Sequence, residues 1–179
     1  MTMTLIQHQE LASNQASLTF SSIPQTFTDL YLLVSARSTR TDQGPRSVLA
    51  VQFNSVTSGY SYRRLYGIPG LATGSDSGSG ADSFLLGYQS SNAATSNTFG
   101  NAGLYIPNYT SNASKSGSSD SVSESNEAQV GVAIQGNLWS NTAAITSLTI
   151  YDPGYNLIQF SSATLYGILK GSSNGVTVS

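Results

Sequence analysis

One histidine and nine carboxylates are the side chains of this 179-residue chain best suited to acid–base chemistry near neutral pH, and it has no cysteine to act as a nucleophile. His8 lies in Gln7-His8-Gln9-Glu10 near the N-terminus. A Ser-His-Asp triad would have to use it, and a terminal segment is a poor place to hold a general base. The lack of cysteine removes disulfides, thiolate nucleophiles and Cys-based zinc sites from consideration. Glu10, Asp29, Asp42, Asp76, Asp82, Asp120, Glu124, Glu127 and Asp152 could in principle supply the paired carboxylates of a glycosidase. Most of them fall in stretches that read as loops or turns, and Asp152 precedes Pro153-Gly154, a turn sequence. Asp76 and Asp82 could offer oxygen ligands to calcium, but their spacing matches no EF-hand. The Gly-rich stretch Gly74–Gly80 lacks the lysine and the following helix of a phosphate cradle. The expectation is a protein that is not an enzyme, with no catalytic residue, no cofactor and no metal.

Charge and aromatic side chains are what remains for making contacts. Arg37, Arg40, Arg46, Arg63 and Arg64 supply five of the seven basic residues. Against the single Asp42 they give residues 37–64 a net charge of +4, and the rest of the chain carries −6. Two readings stay open: a solvated pair of loops, or a docking patch for an acidic partner surface or a neighbouring subunit. Arginine suits the second because its planar fork pairs bidentately with carboxylates. The overall charge of −2 argues against general nucleic-acid binding, which needs a basic surface. Tyr60, Tyr62, Tyr66, Tyr88, Tyr105, Tyr109, Tyr151 and Tyr155 are candidates for a subunit interface or a sugar-binding surface. Trp139 reads as a core anchor at a strand end.

The elements that must position these residues are strands. Leu30, Leu32, Val34 and Ala36 fall on one face of Asp29–Arg37, and Tyr31, Leu33, Ser35 and Arg37 on the other, the period of a half-buried strand. Ser47–Asn54 repeats the pattern with Leu49, Val51 and Phe53. Further strands are expected at Ser17–Phe20, Ser83–Tyr88, Gly103–Ile106, Val130–Leu138, Ile145–Tyr151 and Ala163–Leu169, with Thr2–Gln9 as a first strand or arm. Charged residues make up only 9% of the chain, against about 25% in ordinary domains. Seventeen aromatics, ten of them tyrosine, argue for an ordered β protein rather than a disordered one.

The spacing predicts an all-β chain, an antiparallel β-sandwich of jelly-roll type with about 8–10 strands and long Ser/Gly-rich loops. One domain is expected over residues 1–170, with 1–12 as a possible N-terminal strand or arm and 171–179 as a loose tail. Gly70–Gly80 and Ser111–Ser125 read as mobile surface connections. At most one or two short helical turns are expected, one of them possible at Glu124–Gln129. The N-terminus is not a signal peptide, and no apolar run approaches the length of a membrane helix. Tyr60–Ile68 and Phe160–Ile168 share Leu-Tyr-Gly-Ile, which is best read as coincidence among aromatic strands.

Several segments carry a resemblance to a known group. They are Leu18-Thr19-Phe20-Ser21-Ser22-Ile23-Pro24 running on to Leu30, Ser35-Ala36-Arg37, Phe53-Asn54, Tyr60-Ser61, Leu65-Tyr66-Gly67 and Ser96–Asn101. Tyr105–Tyr109, Trp139–Leu148 and the closing Leu165-Tyr166-Gly167-Ile168 complete the set. Over about residues 3–169 the chain resembles small structural proteins of tailed bacteriophages, cyanophages among them. The resemblance implies a β-sandwich virion component on the capsid surface, assembled in the host cytoplasm. It implies a decoration or cement protein, a homotrimer at threefold positions that reinforces the major capsid protein lattice. It implies partners that are neither nucleic acid nor membrane. The alternative is a tail or head-fibre module that binds a host glycan.

Overall fold

The computed structural model of the chain describes residues 2–70 and 72–169. The expected loose tail at 171–179 lies outside the described residues. The described residues form twelve strands and no helix. In chain order they are β1 (Thr2–Glu10), β2 (Ser17–Phe20), β3 (Asp29–Ala36), β4 (Arg46–Phe53), β5 (Tyr60–Ile68) and β6 (Ala72–Ala81). There follow β7 (Phe84–Ser90), β8 (Gly100–Ile106), β9 (Lys115–Ser123), β10 (Gly131–Trp139), β11 (Leu148–Tyr151) and β12 (Ser162–Leu169). An eight-stranded sheet runs β1-β12-β3-β8-β9-β10-β5-β6 and a four-stranded sheet runs β2-β11-β4-β7. Every strand pairing is antiparallel. The protein is an all-β sandwich of two packed antiparallel sheets.

The core between the sheets follows from the two-residue period. Leu30, Leu32, Val34 and Ala36 of β3 are buried, as are Leu49, Val51 and Phe53 of β4 and Leu148 and Ile150 of β11. Trp139 stacks on Tyr60 with ring centroids 5.8 Å apart and an angle of 14°, and Phe53 lies 5.5 Å from the indole. Phe84 meets Phe53 edge-on at 4.8 Å. Burial pushes the Tyr60 hydroxyl up to about 12, while that hydroxyl accepts from the Phe53 amide at 2.9 Å.

Two stretches expected as loops are strands. Gly70–Gly80 contributes most of β6, which pairs with β5 along its length. β5 aims large side chains across the strand boundary. Tyr66 lies opposite Gly74, Arg64 opposite Asp76 and Tyr62 opposite Gly78. A Cβ at Gly78 would stand 2.5 Å from the Tyr62 ring, so the glycine makes room for the aromatic above it. A composition that suggests a linker thus serves an edge strand. Ser111–Ser125 contains β9, whose alternating serines point inward and are buried at Ser119, Ser121 and Ser123. The expected helical turn near Glu124–Gln129 is a run of bends and turns.

The inward serines have work that apolar residues could not do. β7 is the outer strand of the four-stranded sheet and, among the described strands, pairs with β4 alone. Its other edge lies on the inner face of β9 and β10. Asn137 Oδ1 accepts from the Leu85 amide at 3.1 Å, and its Nδ2 donates to the Leu85 carbonyl at 3.2 Å. Ser119 Oγ donates to the same carbonyl at 3.1 Å, Gln135 Nε2 to the Leu86 carbonyl at 3.3 Å, and Ser121 Oγ accepts from the Tyr88 amide at 2.9 Å. Side chains here stand in for a neighbouring strand, because buried backbone groups must find partners. Gly87 sits in this contact at φ 127°, where only glycine is at ease and where Ser121 Oγ would lie 2.0 Å from a Cβ.

Candidate contact surface

The structure does not gather the five arginines into one exposed patch. Arg37 is buried, and its guanidinium donates to the carbonyls of Ala94, Thr95 and Thr98 at 2.8–2.9 Å. Desolvation holds its pKa below the ordinary value. It fastens the Ala94–Thr98 turn and faces inward. Arg40 pairs with Asp42 at 2.8 Å and lies over the Tyr155 ring, and the Arg40 hydrogen bond lowers the Asp42 pKa. Arg46 donates to the Gln129 carbonyl at 2.9 Å and lies over Tyr88. Arg64 grips Asp76 with both prongs of its fork and lies between Tyr66 and Tyr88. Only Arg63 among the five is exposed, and its guanidinium donates to the carbonyl of its neighbour Tyr62 at 2.8 Å.

The tyrosines divide in the same way. Tyr60 and Tyr109 are core residues, Tyr88 is buried, and Tyr66 packs against the small cluster of Ile68, Tyr88 and Ala133. Asp76 is committed to Arg64. His8 lies exposed on β1 beside the Thr164 hydroxyl at 2.8 Å. Among the described residues no group of three or more acidic or histidine side chains could hold a metal ion.

What lies exposed is the outward face of the eight-stranded sheet. Its register fixes two rows of facing residues. The first runs Leu5, Tyr166, Tyr31, Tyr105, Ser118, Gly136, Arg63 and Ser77 from β1 to β6. The second runs Thr164, Leu33, Gly103, Asp120, Ile134, Leu65 and Ser75. One half of the face is therefore aromatic, with Tyr31, Tyr105 and Tyr166 in adjacent positions on three strands and Leu5 57% exposed beside them. Tyr105 donates to Asp29 Oδ2 at 2.7 Å, which fixes its ring and raises its own pKa. The other half is aliphatic, with Leu65, Val122, Val132 and Ile134 lining an open groove of about 710 Å³.

Tyr31 and Tyr166 are absent from the tyrosines singled out in the sequence. The signal for Tyr31 was present, since the period of β3 already sets it with Leu33 on the face opposite the core. For Tyr166 the signal misleads. Leu65-Tyr66-Gly67-Ile68 and Leu165-Tyr166-Gly167-Ile168 share a sequence but not an orientation. Leu65 is exposed and Tyr66 packs inward, whereas Leu165 is fully buried and Tyr166 points outward.

No protein-family model matches this chain, and no curated protein matches it.

Proposed function

We propose that the protein is a structural subunit of a tailed-phage virion, a capsid decoration protein that docks on the assembled shell of major capsid protein. The observation that carries the reading is the row Leu5, Tyr166, Tyr31 and Tyr105, laid side by side on an outward sheet face. Tyrosine brings large apolar area with a hydroxyl handle and little entropy to lose, which suits a docking surface. The sequence resemblance over residues 3–169 supplies the setting. A subunit that binds only the assembled shell stabilises it by mass action, and lattice symmetry repeats the contact many times.

The strand order supports the jelly-roll part of the same reading. With the β9–β10 hairpin and the outer β1–β12 pair set aside, β3-β8-β5-β6 faces β2-β11-β4-β7. Two interlocked Greek keys, in which successive strands cross between the sheets except at one hairpin, here read as β5–β6, would account for that order.

The test is to add purified protein to tailed particles that lack it and image them by electron microscopy. The expected result is density on the head lattice, reduced for Tyr31→Ala combined with Tyr166→Ala. Density confined to the tail, or none with a folded protein, overturns the assignment. The tyrosine row also favours a second reading, a glycan-binding module of a tail or head fibre, because tyrosine faces stack on sugar rings. Specific binding on a glycan array without binding to heads would install that reading in its place.

A further inference from the structure

The hairpin β9–β10 is inside out. Its buried positions carry Ser119, Ser121, Gln135 and Asn137, while Val132, Ile134 and Leu138 are 50%, 65% and 38% exposed. Leu65 on the adjoining β5 is 63% exposed. The inward polarity is explained by the β7 backbone that it serves. No described residue covers the outward aliphatics, and a contiguous apolar patch of this kind marks an interaction surface.

Two charges on the same half-face show what fits it. Arg63 makes no ion pair among the described residues, and its guanidinium donates to the carbonyl of its neighbour Tyr62. Asp120 is exposed and its carboxylate has no hydrogen-bond or ion-pair partner among the described residues. They stand on opposite sides of β10: Asp120 across from Ile134, and Arg63 across from Gly136. Strand spacing and rise put them roughly 12 Å apart, too far to pair with each other. A face that carries an unpaired cation and an unpaired anion on either side of an aliphatic centre is complementary to itself. That is the requirement for an isologous contact.

We propose that the aliphatic half-face is an interface between two copies of this chain. The two-fold axis lies in the plane of contact and passes beside Ile134. It sets Arg63 of each copy against Asp120 of the other and buries Leu65, Val132 and Ile134 between them. Four strands of nine or ten residues give a footprint of roughly 600 Å² per copy before side-chain relief is counted. Specific interfaces take about 800 Å² per partner. The pairing is independent of what the tyrosine half binds. It differs from the trimer that the sequence resemblance implies, so mass alone separates the two.

Sedimentation of the full chain tests it. The wild type is expected at the mass of two copies at about 100 μM, and Ile134→Asp at the mass of one. Arg63→Glu and Asp120→Arg, each alone, place like charges opposite one another and should weaken pairing about tenfold or more. The combined Arg63→Glu and Asp120→Arg variant restores opposite charges and should recover pairing to within a few-fold of wild type. A wild type with the mass of one or three copies overturns the proposal. So does a charge-swapped double variant that pairs no better than the single ones. Both charge positions are exposed, so these variants stay informative if Ile134→Asp fails to fold, which near-UV circular dichroism would reveal.

Discussion

On β3, β8 and β12 the residues that point between the sheets are Leu30, Leu32, Val34, Leu104, Ile106 and Leu165, all buried. On β9 and β10 the equivalent positions are Ser119, Ser121, Ser123, Gln135 and Asn137, equally buried. The strands have the same period and the same degree of burial, but their chemistry is opposite. The difference lies in what sits across the gap. The first group covers apolar side chains of the four-stranded sheet, and the second covers the open backbone edge of β7. A buried face takes its chemistry from its partner, and a partner made of peptide groups calls for amides and hydroxyls. This arrangement also leaves the aliphatic residues of β10 on the outside, where they are free to meet a second copy.

β10 itself crosses the boundary, since Asn137 serves the β7 backbone and Trp139 joins the aromatic core. Trp139→Ala empties a fully buried ring site and is expected to cost about 3–5 kcal/mol in chemical denaturation. The indole Nε1 has no hydrogen-bond partner among the described residues, so Trp139→Phe should cost much less. If both substitutions cost the same, the indole would owe its place to something other than packing.

Asn137→Ala probes the polar side of the boundary. It strips partners from both the amide and the carbonyl of Leu85, and the expected cost is about 1–3 kcal/mol. Asn137→Leu, which adds apolar volume, should be no better than alanine, because it also takes the side-chain acceptor from the Leu85 amide and leaves its carbonyl with Ser119 alone. A stabilising Asn137→Leu would show that this inner face needs bulk rather than hydrogen bonds, and the contrast between the two halves would collapse.

The contrast also explains how much could be read in advance. Strands such as β2, β3 and β4 were legible because their cores are Leu, Val and Phe in alternation with polar residues. β9 alternates serine with serine, aspartate and valine, so no hydrophobic period marks it. Its regularity lies in hydrogen bonds to a strand far away in sequence. β6 was hidden for a related reason: its order comes from the Tyr62, Arg64 and Tyr66 side chains of β5 laid across its glycines and Asp76. The outward place of Tyr31 was visible from period. The fate of the arginines was not. Whether Arg37 meets solvent or the carbonyls of the Ala94–Thr98 turn depends on where the connection between β7 and β8 folds back, which spacing does not encode.

The smallest expected effect asks whether buried polarity in this fold tolerates charge as well as it tolerates amides. Asp152 is 3% exposed at the end of β11, where Gln89 Nε2 donates to its Oδ2 at 2.8 Å. Burial raises its pKa above the ordinary carboxylate value, while the Arg40 charge and the hydrogen bond from Gln89 pull it back in part. A carboxyl group whose pKa is higher folded than unfolded holds its proton more tightly in the folded state. Its contribution to stability is therefore complete below the unfolded pKa and is lost as pH rises through the folded one. Asp152→Asn removes that titration. The variant should be more stable than the wild type at neutral pH, by less than Asn137→Ala costs. The advantage should shrink as the pH is lowered into the carboxylate range and the wild-type group takes up its proton. Urea midpoints of both proteins across that range decide the matter. Parallel curves would mean that Asp152 titrates alike in the folded and unfolded chains, and that its carboxylate is as well accommodated as the amides under β7.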